Sequence, residues 1–511
     1  MAEQRSTTRA VRKSAADLAV VSGLHPQHQY SSSNSDELLT SSSSALVNST
    51  QSLWQHWAKT TPNSCALITA SQTINWLQFS DLVERYSGYL HAQGLSHGDI
   101  LTVVGRNSCE LVVAYLASLK LGVLVAMTMP QPPSKLEQKL TTLYRQGQRR
   151  FVAFTDTQSE MADLDAQLIE LPSLNAIASF ECSTSLDRHS EKSDLASIVF
   201  TSGSTGNPKA VAHTSEQHIA SASGLLAQFE FGSTHSWLLS LPMYHVSGLA
   251  IIYRWLVAGA TLKVGHQGLE SDIKGCTHAS LVATQLRRLL DSECPLSLSY
   301  VLLGGSHIPN QLALEANQRG IETWIGYGMT EAASTVTAKP VDAHSDAGCV
   351  LPNRAIKIDQ GRIWIGGDTL ASGYYHQGQI TPLKNQQGWF DSKDLGRWEG
   401  ERITIIGRAD NQFISGGENI HCEEIESALN KHSAIRQAFV VPVDDKEFGQ
   451  RPVAIIDCDQ LESADVYQAF LLKYLEKFKI PKNYYAMPQL KQEGIKVSRK
   501  QLADWLKSKT S

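Results

Sequence analysis

The residues best suited to chemistry stand together at Thr201, Ser202, Gly203, Ser204, Thr205, Gly206 and Lys209, within the run Ile198 to Val211. Glycines let a backbone approach an anion and aim successive N–H groups at it, while hydroxyls add donors and a lysine adds charge. Such a stretch cradles phosphate. A plain Gly/Ser surface loop is the competing reading, but here an apolar strand precedes the loop and a Pro208–Lys209 pair closes it. The pattern is not that of a P-loop, which needs Gly-Lys followed by Ser or Thr; Pro208 precedes this lysine and Ala210 follows it. The expected chemistry therefore moves from transfer of the γ-phosphate to attack of a carboxylate on the α-phosphate.

The elements that must position this loop follow from hydrophobic spacing. Phe79, Leu82, Val83, Tyr86 and Leu90 recur at helical intervals until Gly94. Ile100 to Val104 reads as a buried strand, Glu110 to Leu121 as a helix closed by Gly122, and Val123 to Met127 as the next strand, the βαβ rhythm of a parallel sheet. Beyond the loop, strands are expected at Trp237 to Pro242, Thr261 to Val264, Ala279 to Ala283, Tyr300 to Leu303 and Thr323 to Ile325, with an apolar helix at Val246 to Leu256. After about Ala347, short segments at Ala355 to Ile358, Arg362 to Ile365 and Arg402 to Ile406 predict a small antiparallel β unit. Helices at Glu423 to Asn430 and Ala464 to Phe478, with strands at Ala438 to Val443 and Val453 to Asp457, predict a compact α+β unit after a boundary near Arg408 to Asn411. The expected organisation is a disordered Ser-rich extension over 1–50, an α/β N-terminal domain over 51–408 built of parallel-type sheets, helices and the β unit, and a small α+β C-terminal domain over 409–511.

Composition narrows the function. A chain of 511 residues, 42% hydrophobic and 19% charged, can bury a large core in more than one domain. Its 45 Lys and Arg against 50 Asp and Glu give a net charge of -5 without a long basic run, which argues against nucleic acid as a partner. Lys120 and Arg254 interrupt the two most apolar stretches, which argues against membrane insertion. The 8 cysteines form no Cys-x-x-Cys pair and suit reduced thiols in a cytoplasm, and the 17 histidines show no metal-ligand spacing.

Five motifs in fixed order give the chain a family likeness: Thr201-Ser-Gly-Ser-Thr-Gly-Asn-Pro-Lys209, Tyr327-Gly-Met-Thr-Glu331, Gly388-Trp-Phe-Asp-Ser-Lys-Asp394, Gly407-Arg-Ala-Asp410 with Ser415-Gly-Gly-Glu-Asn419, and Gly494-Ile-Lys496. Together they resemble the adenylate-forming superfamily of acyl-CoA synthetases, luciferases and peptide-synthetase adenylation domains, over about residues 53 to 507. Within it, Leu241-Pro-Met-Tyr-His-Val-Ser-Gly248, Arg254-Trp-Leu256 and Gly494-Ile-Lys-Val-Ser-Arg499 resemble the 2-succinylbenzoate CoA ligases of menaquinone biosynthesis.

That resemblance implies a ligase that uses ATP, Mg2+ and CoA, makes an acyl-adenylate and then a thioester, and carries a mobile C-terminal domain. By the same resemblance Glu331 is linked to magnesium, Thr330 contacts phosphate, and Gly304, Gly305, Ser306 and Tyr327 bind adenine. Asp394 and Arg408 hold the ribose or phosphate region, and Lys496 reaches the α-phosphate and attacking carboxylate. Gly416 and Gly417 line the path of CoA, and Asp410 is the hinge. His245 lies beside the acid's carboxylate, and Arg254 is expected to neutralise the second carboxylate of a diacid. Arg254 alternatively reads as a helix-surface residue with a buried stem. Two departures stand out: Lys393 where many relatives have Gly, and Ala210 for a frequent Gly. Another acyl or aryl CoA ligase, or a nucleotide-binding protein without turnover, would share these core motifs. An oligomer is compatible with all of this.

Overall fold

The computed structural model describes residues 21–22, 52–155, 164–181, 194–201, 208–292, 294–304, 308, 310–415, 418–489, 497 and 499–510. The first large sheet grows from the βαβ unit expected above. Strand Ile100–Val104 pairs in parallel with Leu124–Thr128, joined by helix Cys109–Leu121. Ser108 caps that helix through Leu111 N, and Gly122 ends it at φ 70°, where a Cβ would run into the His97 ring. Leu124–Thr128 pairs in parallel with Leu195–Thr201, which pairs antiparallel with Lys209–Thr214. Eight strands make up this sheet.

A second sheet of nine strands packs alongside, its centre the parallel run His278–Leu281, Tyr300–Leu303 and Glu322–Met329. Helix Val246–Ala258 lies in the core they share, with Trp255 stacked on Trp76 at 5.2 Å. The expected antiparallel unit is a separate sheet containing Arg354–Asp359, Arg362–Gly367, Phe390–Glu399 and Arg402–Arg408. Val21–Ser22 adds to its edge, opposite Ala355 and Ile356. A fourth sheet, with helices Cys422–Leu429 and Ala464–Leu471, forms its own core in the C-terminal part of the chain.

Three elements differ from expectation. The strand after Thr323 runs on to Met329 because Ser334–Pro340 folds back against it, so Tyr327 lies within a strand instead of after one. The strand at Ser236–Leu238 stops short of Pro242, since the Asn107 side chain binds the carbonyls of Leu239 and Leu241 and the N–H of Met243. The helix from Ala464 ends at Leu471, where bonds tighten to the i−3 carbonyl, and Pro481 follows. All seven described cysteines are free thiols. Among the described residues no helix is long and apolar enough to cross a membrane.

Candidate active site

Thr201 and Lys209 face each other across the antiparallel pair, so the Gly/Ser loop leads from strand to strand and not into a helix. That is the structural counterpart of its mismatch to the P-loop. Ser202, Gly203, Ser204, Thr205 and Gly206 lie outside the described residues. Lys209 places Nζ 5.0 Å from the centre of the Tyr374 ring, and the Tyr374 hydroxyl donates to Glu331 Oε1 at 3.1 Å. Tyr374 thus joins the loop lysine to the glutamate. It arrives there because strand Gly373–His376 pairs with the strand of Lys209, with Tyr374 opposite Val211. Burial and the neighbouring Glu331 charge both push its hydroxyl pKa up. Sequence reasoning missed Tyr374, whose only signal is an aromatic pair after Gly373 that any strand could carry.

Thr330 and Glu331 sit in a single 3-10 turn, Thr330–Ala332, at the carboxyl end of strand Glu322–Met329. Tyr327, two residues inside that strand, donates to Asp394 Oδ2 at 2.6 Å. Gly304 follows strand Tyr300–Leu303, whose Leu303 pairs with Ile325, and so borders the same strand end. Gly305 and Ser306 lie outside the described residues. Asp394 is 6% exposed, and burial raises its carboxyl pKa while the Tyr327 bond and Arg408 oppose the rise. Arg408 Nη1 reaches Asp394 Oδ1 at 3.4 Å, and the same guanidinium grips Asp410 at 2.8 and 3.1 Å. The structure therefore gathers Lys209, Glu331, Tyr327, Asp394, Arg408 and Asp410 at one edge.

Lys393 adopts φ 65°, the left-handed conformation that glycine takes at no steric cost. Its backbone N–H and ammonium both donate to Asp391, at 3.0 and 2.6 Å. The departure from Gly keeps the backbone shape and adds an ion pair.

Of the residues expected to meet the acid, His245 is the N-cap of helix Val246–Ala258 and Arg254 lies on its last turns. Arg254 is 2% exposed, which removes the surface reading. Its Nη2 donates to Thr335 Oγ1 at 3.3 Å, its guanidinium lies 5.4 Å from the Trp237 ring centre, and its Nε has no hydrogen-bond partner among the described residues. No described carboxylate pairs with it. Burial lowers its pKa to about 9, which leaves it charged at neutral pH. A cavity of about 810 Å3 opens beside the loop that leads to His245, bordered by Arg106, Asn107, Ser240, Tyr244 and Gln285. Its lining includes neither Glu331 nor Asp394.

Gly416, Gly417 and Lys496 lie outside the described residues. In the C-terminal part of the chain a cleft of about 150 Å3 is lined by Ser415, Glu418, Phe448, Arg451, Lys477 and Lys482 among others. The Arg451 guanidinium stacks on Phe448 at 3.5 Å. This basic cleft is a second feature that sequence reasoning missed, since its lysines read as ordinary surface.

Known proteins match this arrangement along nearly the whole chain. The AMP-binding enzyme family matches residues 54–375, and the AMP-binding enzyme C-terminal domain matches residues 424–495. The 2-succinylbenzoate--CoA ligase of Salmonella typhimurium is 40% identical over 456 residues, 89% of this chain and 97% of its own length. Wild-type E. coli MenE, solved with a bound m phenylether-linked analogue of OSB-AMS, superposes with a TM-score of 0.77 at 36% identity, covering 90% of this chain and 100% of that one. The O-succinylbenzoate coenzyme A synthetase of Bacillus subtilis, solved with ATP and a magnesium ion, gives 0.75 at 26% identity over 86% of this chain and 96% of that one. With both of its parts matched in order and relatives aligned end to end, this chain belongs to the adenylate-forming family of AMP-binding enzymes.

Proposed function

We propose that this chain is an ATP-dependent 2-succinylbenzoate–CoA ligase acting in the cytoplasm, in menaquinone biosynthesis. It is an AMP-forming acid–thiol ligase: carboxylate and ATP give acyl-adenylate and pyrophosphate, and CoA then displaces AMP to give the thioester. The observation that carries the substrate is Arg254, a buried guanidinium with no described carboxylate partner in a fold that activates carboxylates. A buried cation in an apolar core is costly unless an anion meets it. A diacid supplies that anion with the carboxylate it does not react through.

The remaining roles follow from the cluster. Thr201 to Lys209 holds the β- and γ-phosphates, and Thr330 adds a hydroxyl donor. Tyr327 packs on adenine beside Gly304, Gly305 and Ser306. Asp394, an acceptor-only carboxylate, takes the ribose diol, with Arg408 next to it. Glu331 brings a carboxylate to the end of the sheet where Tyr374 and Lys209 meet, and no group of three or more His, Cys, Asp or Glu among the described residues could hold a metal. Such a donor set fits Mg2+, which binds through one or two carboxylates and substrate phosphates. Bound there, Mg2+ would neutralise phosphate charge as pyrophosphate leaves. His245 positions the reacting carboxylate, and Lys496 offsets charge at the α-phosphate. For the second step, the C-terminal domain (409–511) rotates against the N-terminal domain (51–408) about Asp410, and Gly416 and Gly417 admit the CoA arm. Lys477 and Lys482 of the C-terminal cleft, beside an Arg451 that is paired with Asp445, offer cations to the CoA phosphates.

A panel of mono- and dicarboxylic acids, each assayed with ATP, Mg2+ and CoA for thioester by mass, tests the reading. 2-Succinylbenzoate should give the dominant product. Preferred turnover of an acid without a second carboxylate would overturn it.

A further inference from the structure

Arg354 has no part in the roles above, yet its surroundings are shaped around it. It is 3% exposed and, like Arg254, has no described carboxylate partner. Its donors go to neutral oxygens on three separate segments. Nε donates to Thr335 O at 2.9 Å, Nη1 to Pro352 O at 2.7 Å, and Nη2 to Ser221 O and Oγ at 2.8 and 2.9 Å. Helix Ser215–Leu226 places Gly224 against this guanidinium, where a Cβ would collide with Arg354 Nη1 and Pro352 O. The helix is notched to admit the charge.

What the guanidinium holds is a strained turn. Ser221 Oγ donates to Ala333 O at 2.5 Å, and Ala333 and Ser334 have φ of 50° and 93°, values that side-chain-bearing residues rarely adopt. Strain of this kind persists only where neighbours over-determine the backbone. The turn joins Glu331 on one side to Thr335 on the other, and the Thr335 hydroxyl is the group that Arg254 touches. Through Ser221 and Thr335, one planar fork thus braces the segment between the phosphate end and the acid end. A neutral side chain could fill the same space without the cost of a buried charge. Only a guanidinium spans these acceptors in one plane.

We infer that Arg354 is a positioning residue: with Ser221 it holds the Glu331–Thr335 turn and so fixes the spacing between the phosphate-side glutamate and the acid-side arginine. This rests on the adenylation reading above. It predicts that Arg354 matters while acid and triphosphate are being aligned. It matters little once pyrophosphate has gone, because thioester formation from acyl-adenylate no longer uses Glu331.

The test uses the full chain with Ser221→Ala, Arg354→Lys and the double variant, assayed below the melting midpoint of each. Acid-dependent pyrophosphate release should fall about tenfold in kcat for each single variant, and the double variant should be no worse than the poorer single one. Thioester formation from supplied 2-succinylbenzoyl-adenylate and CoA should stay within about twofold. Retention of the lysine charge should not rescue the first step. Equal losses in both half-reactions, or unchanged pyrophosphate release in Ser221→Ala, would overturn the inference. If Arg354→Lys does not fold, Ser221→Ala decides alone, since it removes only one hydroxyl. A wild-type chain that prefers another acid would sink the substrate reading, and the variants would then be compared with that acid. Pyrophosphate release by wild type with no acid at all would sink both.

Discussion

The Tyr327 hydroxyl and the Asp394 carboxylate meet at 2.6 Å, tying a strand of the large parallel sheet to the small antiparallel one. Asp394 gives up solvent for this place, and burial holds its carboxyl above the usual range. Above the unfolded value of about 4 the unfolded carboxyl ionises more readily than the folded one, so ionised Asp394 subtracts stability as pH rises through that value. Asp394→Asn keeps an acceptor for Tyr327 but removes the buried charge. Adenylation should fall roughly a hundredfold, the order expected when a positioned charge-assisted contact is lost. The melting midpoint at pH 7 should be equal to or above that of the parent, and any advantage should vanish below about pH 4. A midpoint several degrees lower at pH 7 would contradict the argument.

Arg254 leads to a prediction of the same kind on the acid side. Arg254→Leu should lower kcat/KM for the diacid by about 3 kcal/mol, roughly a hundredfold, because the substrate's second carboxylate would be left desolvated and unpaired. A monoacid of similar size should lose far less. Folding should not suffer, since a leucine removes an uncompensated charge from the core. Unchanged diacid turnover would remove the specificity role.

How far these features could be read from the chain depends on whether their cause is local. Ile100–Val104 and Tyr300–Leu303 form at the expected residues because an apolar run is a local property. The burial of Arg254 was half legible: its neighbours on the helix are apolar, but only packing against Trp237 and Thr335 decides which way the guanidinium turns. Tyr374 and Arg354 were not legible. Tyr374 meets Lys209 through a strand pairing across more than a hundred residues, and Arg354 meets Ser221 across 133. Neither contact leaves a mark on nearby sequence.

Lys393 makes a stability prediction. Its left-handed backbone should cost about 1 kcal/mol relative to glycine, and its exposed pair with Asp391 should return less than that. Lys393→Gly should therefore raise stability slightly, by up to about 1 kcal/mol, after glycine's greater unfolded-state entropy is allowed for. Urea unfolding that shows a clear loss would mean that Lys393 makes contacts beyond Asp391.

Two buried histidines predict how stability responds to acid. His213 is fully buried with its ring 4.7 Å from that of His218, and burial lowers its pKa to about 4. A base held neutral in the folded state and free to charge near pH 6.5 when unfolded contributes stability that is complete above about 6.5. That contribution is lost as pH falls toward about 4. The melting midpoint should drop across this interval, and His213→Gln should show a shallower slope there. Identical slopes would assign the acid sensitivity to other groups.

The half-reactions give the sharpest separation for Lys496. In the proposed role its charge would act where a carboxylate attacks an α-phosphate and negative charge accumulates in the transition state. Under the proposed mechanism the attacking group in the second step is a thiol and the leaving group is AMP, and rotation about Asp410 would bring Gly416 and Gly417 to the site in place of the lysine. Lys496→Ala should therefore lower acid-dependent pyrophosphate release by a thousandfold or so, about 4 kcal/mol of lost transition-state stabilisation, and leave thioester formation from supplied acyl-adenylate within a few-fold of wild type. Mass detection of 2-succinylbenzoyl-CoA from the adenylate measures the second step on its own. Equal loss in both steps would mean that one arrangement of the two domains serves both reactions, and the hinge role of Asp410 would fall with it.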